Sequence, residues 1–237
     1  MQECFVHHRA TIPFPQWVVR DASLLFKSFS PEAVVNNHIV YSARDEFKQY
    51  LGTTVLIMGG GPSTLSLDMQ QEEYDYLWTC NHFFRNPKLQ NTKVDLAMLM
   101  SEVEPTNDDL VKYRETYQPL LGFEVHDKWF NYQFDNYNKY FFMHSNFYGR
   151  LGIGVRMILF ASALGASTVK FCGFDGFKPI YEGNHAFQPG KTTLPSNFSE
   201  QQYLQQYDYF WKYVQNLNPN TKYINLGGGD DLHKGIR

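Results

Sequence analysis

An uncharged apolar run that ends in three consecutive glycines constrains the fold more than any other feature of the sequence. Residues 54–58 read Thr-Val-Leu-Ile-Met, and Gly59-Gly60-Gly61-Pro62-Ser63 follows directly. A short apolar run bounded by glycine is typical of a strand buried on both faces of a parallel sheet. We therefore predict that residues 54–58 form the first core strand and that residues 59–63, called the glycine turn below, lead out of it.

The rest of the chain alternates between strand patterns and helix patterns. The predicted elements are, in chain order, a helix near 43–51, strands at 76–80 and 94–98, a helix near 107–117, a possible strand at 139–143, a helix at 154–164, a strand at 168–172, a helix near 200–216 and a strand at 222–226. Because strands are separated by helices, we expect a Rossmann-like α/β fold, in which a doubly wound, mostly parallel sheet has helices on both faces.

The length favours one domain. At 237 residues the chain is below the size at which single cores stop growing, and 43% of its residues are hydrophobic, so residues 1–237 are predicted to form a single α/β domain. Residues 1–50 lack the strand and helix rhythm and are predicted to form an N-terminal cap. Residues 123–148 are rich in Tyr, Phe and Asn, and are predicted to be an aromatic-rich insertion over the sheet edge.

Charge and hydropathy exclude several classes of partner. The net charge is -3 and the Lys and Arg residues form no run, so the sequence argues against binding to a nucleic acid. The longest apolar stretch, residues 151–166, contains Arg156 and is shorter than the ~20 residues that a membrane span requires. With no secretory signal pattern at the start of the sequence, we expect a cytoplasmic protein without a transmembrane segment.

The sequence predicts neither a disulfide framework nor a metal site. Its three cysteines, Cys4, Cys80 and Cys172, are odd in number and form no C-x-x-C pair, which also suits a reducing compartment. The carboxylates of Asp230 and Asp231 are adjacent, and such pairs are more often a solvated acidic turn than a metal site.

The glycine turn is a candidate phosphate-binding loop. Gly59, Gly60 and Gly61 allow backbone N–H groups to approach a phosphate closely, and Ser63 adds a hydroxyl donor. The turn matches neither the G-x-x-x-x-G-K-[ST] loop nor a full G-x-G-x-x-G dinucleotide fingerprint. An ordinary strand-to-helix turn remains the alternative interpretation of these residues.

Polar residues follow two further predicted strands. Asn81 comes directly after residues 76–80, and Gly173 and Asp175 come directly after residues 168–172. In an open parallel sheet, ligands bind in the crevice at the carboxyl ends of the strands. Asn81 is therefore predicted to contact ribose oxygens or phosphate, and Asp175 a ribose hydroxyl, although both residue types are also common in structural turns.

His185 is the best candidate for a general base. It lies on a polar loop just beyond the strand at 168–172, and imidazole is the side chain whose ordinary pKa lies near neutrality. The sequence contains seven other histidines, so a solvated or structural role for His185 stays open.

Taken in order, these motifs resemble those of the bacterial sialyltransferases of glycosyltransferase family 42. The matching segments are the glycine turn, Cys80-Asn81-His82-Phe83-Phe84, Arg150 to Gly154 followed by Ala163-Leu164-Gly165, and Gly173-Phe174-Asp175. The resemblance implies a Rossmann-like fold that binds a cytidine-monophosphate sugar without a metal, with Asn81 in a donor-binding role. The sequence departs from the family pattern at Ile153 and Phe177, and it has no histidine between Gln188 and Leu232 to match the catalytic one.

A second group shares several of the same motifs. It includes flagellin glycosylation factors and an archaeal pterin diphosphokinase, and its closing strand and glycine-rich tail resemble residues 223–229. Kinship of fold alone does not choose between their chemistries.

The resulting hypothesis is sugar transfer from a nucleotide-activated donor, with a CMP-sugar favoured, to a glycan or other hydroxyl acceptor. No further cofactor is expected. His185 would take the acceptor proton, and Tyr181 or Arg150 would stabilise the departing phosphate. The alternatives are a pterin diphosphokinase-like enzyme that uses ATP and a non-catalytic nucleotide-binding protein. Exposed aromatic residues would serve an acceptor site or a contact within a homo-oligomer.

Overall fold

The computed structural model describes most of the region that carries the predicted motifs. The described residues are 4–6, 45–100, 102–124, 137–144, 151–175, 185–188 and 200–227. Arg150, Tyr181, Asp230 and Asp231 lie outside them.

A parallel sheet of eight strands forms the centre of the described structure. The strands are β1 (Cys4–Val6), β2 (Thr54–Met58), β3 (Tyr76–Cys80), β4 (Leu96–Leu99), β5 (Leu120–Glu124), β6 (Tyr140–His144), β7 (Thr168–Cys172) and β8 (Lys222–Asn225). The helices are α1 (Asp45–Lys48), α2 (Ser63–Ser66), α3 (Asp108–Tyr117), α4 (Ile153–Ala163) and α5 (Glu200–Leu217). Short 3₁₀ turns cover Met69–Gln71 and Phe83–Arg85.

The strand order reverses beside β2. The order across the sheet is β1-β6-β5-β4-β3-β2-β7-β8, and every neighbouring pair is parallel. From β2 the chain therefore moves through β3 to β6 on one side, and then returns to add β7 and β8 on the other. The junction of β2 and β7 is the topological switch point, where open α/β sheets bind their ligands.

Alternate side chains of β2 face two separate apolar layers. Val55 and Ile57 pack in a cluster with α1, α4 and α5, whereas Leu56 and Met58 pack in a cluster with α3 and the 3₁₀ turn at Phe83–Arg85. All four side chains are fully buried. Because successive residues of a strand point to opposite faces, a strand with helices on both sides has to be apolar throughout.

Helix α4 crosses one face of the sheet and explains its unbroken apolar sequence. All eleven of its residues are buried, because it lies between the sheet and α5. The helix begins after Gly152, which has a φ of 81°, and is followed by Gly165 with a φ of 84°. Arg156, although charged, is 5% exposed and donates to the Gly152 carbonyl oxygen at 2.9 Å.

The doubly wound parallel sheet with helices on both faces confirms the predicted fold class. The strands predicted at 54–58, 76–80 and 168–172 have the observed bounds. Two strands, β1 and β5, were not predicted: β1 has three residues, and β5 is interrupted by Gly122. Within the predicted insertion, residues 123–124 belong to β5 and residues 140–144 form β6, so these residues continue the sheet. Most of the predicted cap, residues 7–44, lies outside the described residues.

Candidate functional site

The glycine turn leaves β2 beside the carboxyl end of β7. The Gly59 N–H donates to the Cys172 carbonyl oxygen at 2.8 Å, and the Gly61 N–H donates to that of Gly173 at 2.9 Å. The parallel pairing of β2 with β7 therefore continues past both strands. The backbone N–H groups of the first and third glycines of the turn are thus bound by the end of β7 and the residue that follows it.

These contacts give a steric reason for two of the glycines. A Cβ atom at Gly59 would lie 2.5 Å from the Gly173 carbonyl oxygen, and one at Gly61 would lie 2.4 Å from Asp175 Oδ2. Both distances are below any normal contact with a carbon atom. Gly59 and Gly61 are thus required because the segment that follows β7 packs against the backbone of the turn.

Ser63 and Asp175 lock the turn to the end of β7. The Ser63 N–H donates to Asp175 Oδ2 at 2.8 Å, and Ser63 Oγ accepts the Gly173 N–H at 2.8 Å. Gly173 has a φ of 74°, which directs the chain toward the turn. Within the described residues, neither Lys nor Arg forms an ion pair with Asp175.

A buried threonine that the sequence analysis did not select also holds the turn. The Thr64 hydroxyl, fully buried, donates to the Gly59 carbonyl oxygen at 2.9 Å. A Cβ atom at Gly173 would lie 2.3 Å from this hydroxyl. A threonine directly after a Gly-Pro-Ser turn is the signal that was available in the sequence.

Asn81 occupies the corresponding position on the next strand. Met58 pairs with Thr79, so that the ends of β2 and β3 lie at the same level of the sheet. Asn81 has a φ of 51°, and its Oδ1 accepts the Met100 N–H at 3.0 Å. In the described part of the chain its Nδ2 donates to no acceptor, which leaves the donor half of the amide for a ligand.

His185 lies against the middle glycine of the turn. The Ala186 N–H donates to the Gly60 carbonyl oxygen at 2.7 Å. A Cβ atom at Gly60 would lie 2.4 Å from His185 Nε2, so the absence of a side chain at Gly60 makes room for the imidazole. The ring of Phe187 packs edge-on against that of His185 at a centroid distance of 4.5 Å. The loop predicted to carry the base is therefore in contact with the glycine turn.

The end of β8 forms another wall of the site. The Gly227 N–H donates to Asn225 Oδ1 at 2.9 Å. A Cβ atom at Gly227 would lie 2.8 Å from Ser63 Oγ and 3.1 Å from Asp175 Oδ1. No site residue was predicted here, although the glycines after a predicted strand were the visible signal.

The buried thiol of Cys172, at the end of β7, is not a nucleophile. Burial raises the pKa of Cys172 to about 12, although a hydrogen bond with Thr64 partly opposes the shift. The thiol therefore stays protonated at neutral pH, and only the thiolate is a good nucleophile.

The structure thus brings most of the predicted site residues together. Gly59, Gly60, Gly61, Ser63, Gly173, Asp175 and His185 are in mutual contact at the switch point, and Asn81 is one strand away. The two other predicted catalytic residues, Tyr181 and Arg150, lie outside the described residues.

Known proteins resemble this chain in fold and not in sequence. No family model and no curated protein matches the sequence. Among solved structures, the chain is similar to the sialyltransferase CstII from Campylobacter jejuni in complex with a substrate analogue, CMP-3FNeuAc. The sequence identity is 15%, the TM-score is 0.54, and the match covers 76% of this chain and 84% of that one. The likeness shows that the two chains share a fold.

A helix that spans a membrane needs about 20 mostly apolar residues. Across the described residues, every helix is too short or too polar to cross a bilayer.

Proposed function

We propose that this protein binds a nucleotide-activated sugar at the carboxyl edge of the sheet and transfers the sugar to an acceptor hydroxyl. The observation that carries the proposal is the meeting of the glycine turn, the Gly173–Asp175 segment and His185 at the switch point of the sheet. Ligand sites of doubly wound folds lie at this position.

The groups left for the donor phosphate differ from those expected for a loop of free amides. The Gly61 and Ser63 N–H groups are used by the segment after β7. Within the described residues, the Gly60 N–H, the Ser63 hydroxyl hydrogen and Asn81 Nδ2 have no acceptor. One backbone amide, one hydroxyl and one side-chain amide are enough to bind a single phosphate group.

His185 is suited to the proton transfer that this reaction needs. The acceptor oxygen bonds to the anomeric carbon of the donor sugar, and the bond between that carbon and the phosphate oxygen breaks with its electron pair on the nucleotide. The acceptor hydroxyl loses its proton, which the imidazole takes as general base. Contact between His185 and Gly60 places that base beside the phosphate-binding turn.

The structural neighbour favours a cytidine donor. CstII is a sialyltransferase that was solved with a CMP-sugar analogue, and the order of motifs in this sequence resembles that of the sialyltransferase family. We propose that Tyr181 or Arg150, which both lie outside the described residues, stabilises the departing phosphate.

The proposal is tested by changing the free half of the Asn81 amide. In Asn81→Asp the Oδ1 acceptor for the Met100 N–H is kept, and aspartate tolerates a positive φ nearly as well as asparagine. The donor is replaced by a negative charge, so we expect the affinity for CMP, measured by calorimetry, to fall by about tenfold or more.

A matched control separates this effect from the change in net charge. Asn220→Asp makes the same substitution at an exposed position before β8, at the opposite edge of the sheet. The control should bind CMP as the wild type does. Equal CMP affinity in Asn81→Asp and wild type would refute the assigned site, and a wild type that consumes no CMP-sugar with any acceptor in a panel would refute the transfer.

The end of β8 gives the ATP-dependent alternative one point of support. The glycine-rich tail that resembles the pterin diphosphokinase group begins at Gly227, which lies against Ser63 and Asp175. That reaction needs a divalent ion between phosphates. Magnesium-dependent consumption of ATP with a hydroxymethyl pterin would select it, and nucleotide binding without any turnover would select a non-catalytic role.

A further inference from the structure

The carboxylate of Asp175 lies inside the candidate site. Its Oδ2 accepts the Ser63 N–H at 2.8 Å, and its Oδ1 lies 3.1 Å from the position of a Cβ atom at Gly227. Within the described residues neither Lys nor Arg pairs with it. Gly61, Gly227 and Ser63 therefore lie around this negative charge.

Within the described residues, no lysine or arginine neutralises this carboxylate. In the part of the chain that the structure describes, the donors left for a ligand at the glycine turn and Asn81 are the Gly60 N–H, the Ser63 hydroxyl and the Asn81 amide, all of which are uncharged. Lys170 on β7 pairs with Glu72 at 2.8 Å, and Lys88 donates to the Leu67 carbonyl oxygen. Among the described residues other than His185, a phosphate bound at the glycine turn thus meets dipoles and one negative charge.

We propose that Asp175 determines specificity by acting as a charge filter: the site binds nucleotides with a single phosphate and rejects diphosphates and triphosphates. This inference rests on the proposed function, because it assumes that a nucleotide phosphate binds at the glycine turn. A phosphodiester carries one negative charge and a phosphate monoester nearly two at neutral pH. Each further phosphate adds charge near a carboxylate that the fold holds in place by the Ser63 N–H.

The physical basis is repulsion between like charges at short range. In a partly buried site such repulsion is screened much less than at the surface. The Asp175 carboxylate therefore lowers the affinity for a singly charged diester least and the affinity for a triphosphate most. Asp175 is therefore a specificity-determining residue, and the same carboxylate also holds the turn.

The experiment compares the affinities for four cytidine nucleotides that carry increasing negative charge. Calorimetry in EDTA, which keeps divalent ions from neutralising the phosphates, measures binding of cytidine 5′-phosphate methyl ester, CMP, CDP and CTP. For the wild type we expect the affinity to fall along the series, by about tenfold or more between CMP and CTP. In Asp175→Asn the side-chain oxygen still accepts the Ser63 N–H, and the difference between CMP and CTP should shrink to about threefold or less.

Asp75→Asn is the matched control. Asp75 Oδ2 accepts the Thr54 N–H at 2.8 Å at the amino end of β2, so the variant makes the same change of charge on the same kind of hydrogen bond. It should keep the ratio of affinities of the wild type. Raising the salt concentration, which screens repulsion, should improve CTP binding relative to CMP binding in the wild type.

The outcomes distinguish the two proposals. A wild type that binds CMP and CTP equally, or an Asp175→Asn variant that folds and keeps the ratio of the wild type, would overturn the charge filter and leave the proposed function standing. A wild type that binds none of the four nucleotides would overturn both. If Asp175→Asn does not fold, the wild-type series of affinities and its salt dependence still decide.

Discussion

The two ends of β2 carry the same hydrogen bond in different surroundings. At the amino end, Asp75 Oδ2 accepts the Thr54 N–H at 2.8 Å from an exposed position. At the carboxyl end, Asp175 Oδ2 accepts the Ser63 N–H at the same distance, and the carboxylate is partly buried between Gly61 and the end of β8. The carboxylate at the amino end is an exposed cap on a strand, whereas the one at the carboxyl end joins the glycine turn to the segment after β7.

Packing, and not the hydrogen bond alone, distinguishes the sheet edges at the amino and carboxyl ends of β2. Gly52, at the amino edge, has a φ of 74°, and a Cβ atom there would meet nothing within 4 Å. At Gly61 a Cβ atom would meet Asp175 Oδ2 at 2.4 Å and the Gly173 carbonyl oxygen at 2.8 Å. The amino-edge glycine serves backbone conformation, and the carboxyl-edge glycine serves close approach between two segments.

The largest expected effect follows from this difference. Gly61→Ala forces the Gly173–Asp175 segment away from the turn, because the backbone oxygen of Gly173 cannot move as a side chain does. We expect the free energy of unfolding to fall by about 3 kcal/mol, and CMP binding to be lost with the geometry of the turn. Urea denaturation and calorimetry measure the two quantities.

Gly52→Ala serves as the control at the other edge. It places a side chain at positive φ in open space, so the expected cost is about 1 kcal/mol, from backbone strain alone. Nucleotide binding should be unchanged. If both variants lose the same stability, the contrast between the two edges is wrong.

Much of this edge was visible in the sequence, for a physical reason. The bounds of β2 and β7 were predictable because an apolar run that ends at glycine has few other readings, and parallel strands bring their carboxyl ends together. Strand β5 was missed because Gly122 weakens the pattern, and its reason lies elsewhere in the chain: a Cβ atom there would lie 2.7 Å from the Phe141 ring.

The internal use of the turn's amides was not predictable. The Ser63 N–H is taken by a carboxylate 112 residues later, and no local pattern reports which strand will lie beside β2. The same holds for Gly227, which reaches Ser63 only because β8 pairs with β7. Local sequence thus indicated the position of the site, while the tertiary pairing decided which donors remain for a ligand.

A second, smaller effect separates the two carboxylates themselves. Asp175→Ala leaves the partly buried Ser63 N–H without an acceptor, which should cost about 1 kcal/mol of stability. Asp75→Ala exposes the Thr54 N–H to water, which replaces the lost acceptor, and the stability should not change measurably. Urea denaturation of both variants provides the comparison; a larger loss in Asp75→Ala would reverse our assignment of the two edges.

An effect that is absent at neutral pH concerns Cys172, whose thiol is fully buried at the end of β7. Burial raises its pKa from the ordinary value of 9.0 to about 12 in the folded protein. Between these values the unfolded chain loses the proton and the folded chain keeps it, so this contribution to stability is complete below pH 9 and declines as the pH rises toward 12. The wild type should therefore lose stability more steeply than Cys172→Ala above pH 9, by at most ~1.4 kcal/mol per pH unit. Urea denaturation at several pH values measures both slopes, and parallel slopes would show that the thiol ionises equally well in the folded and unfolded chains, which would place it in contact with water and open the packed end of β7.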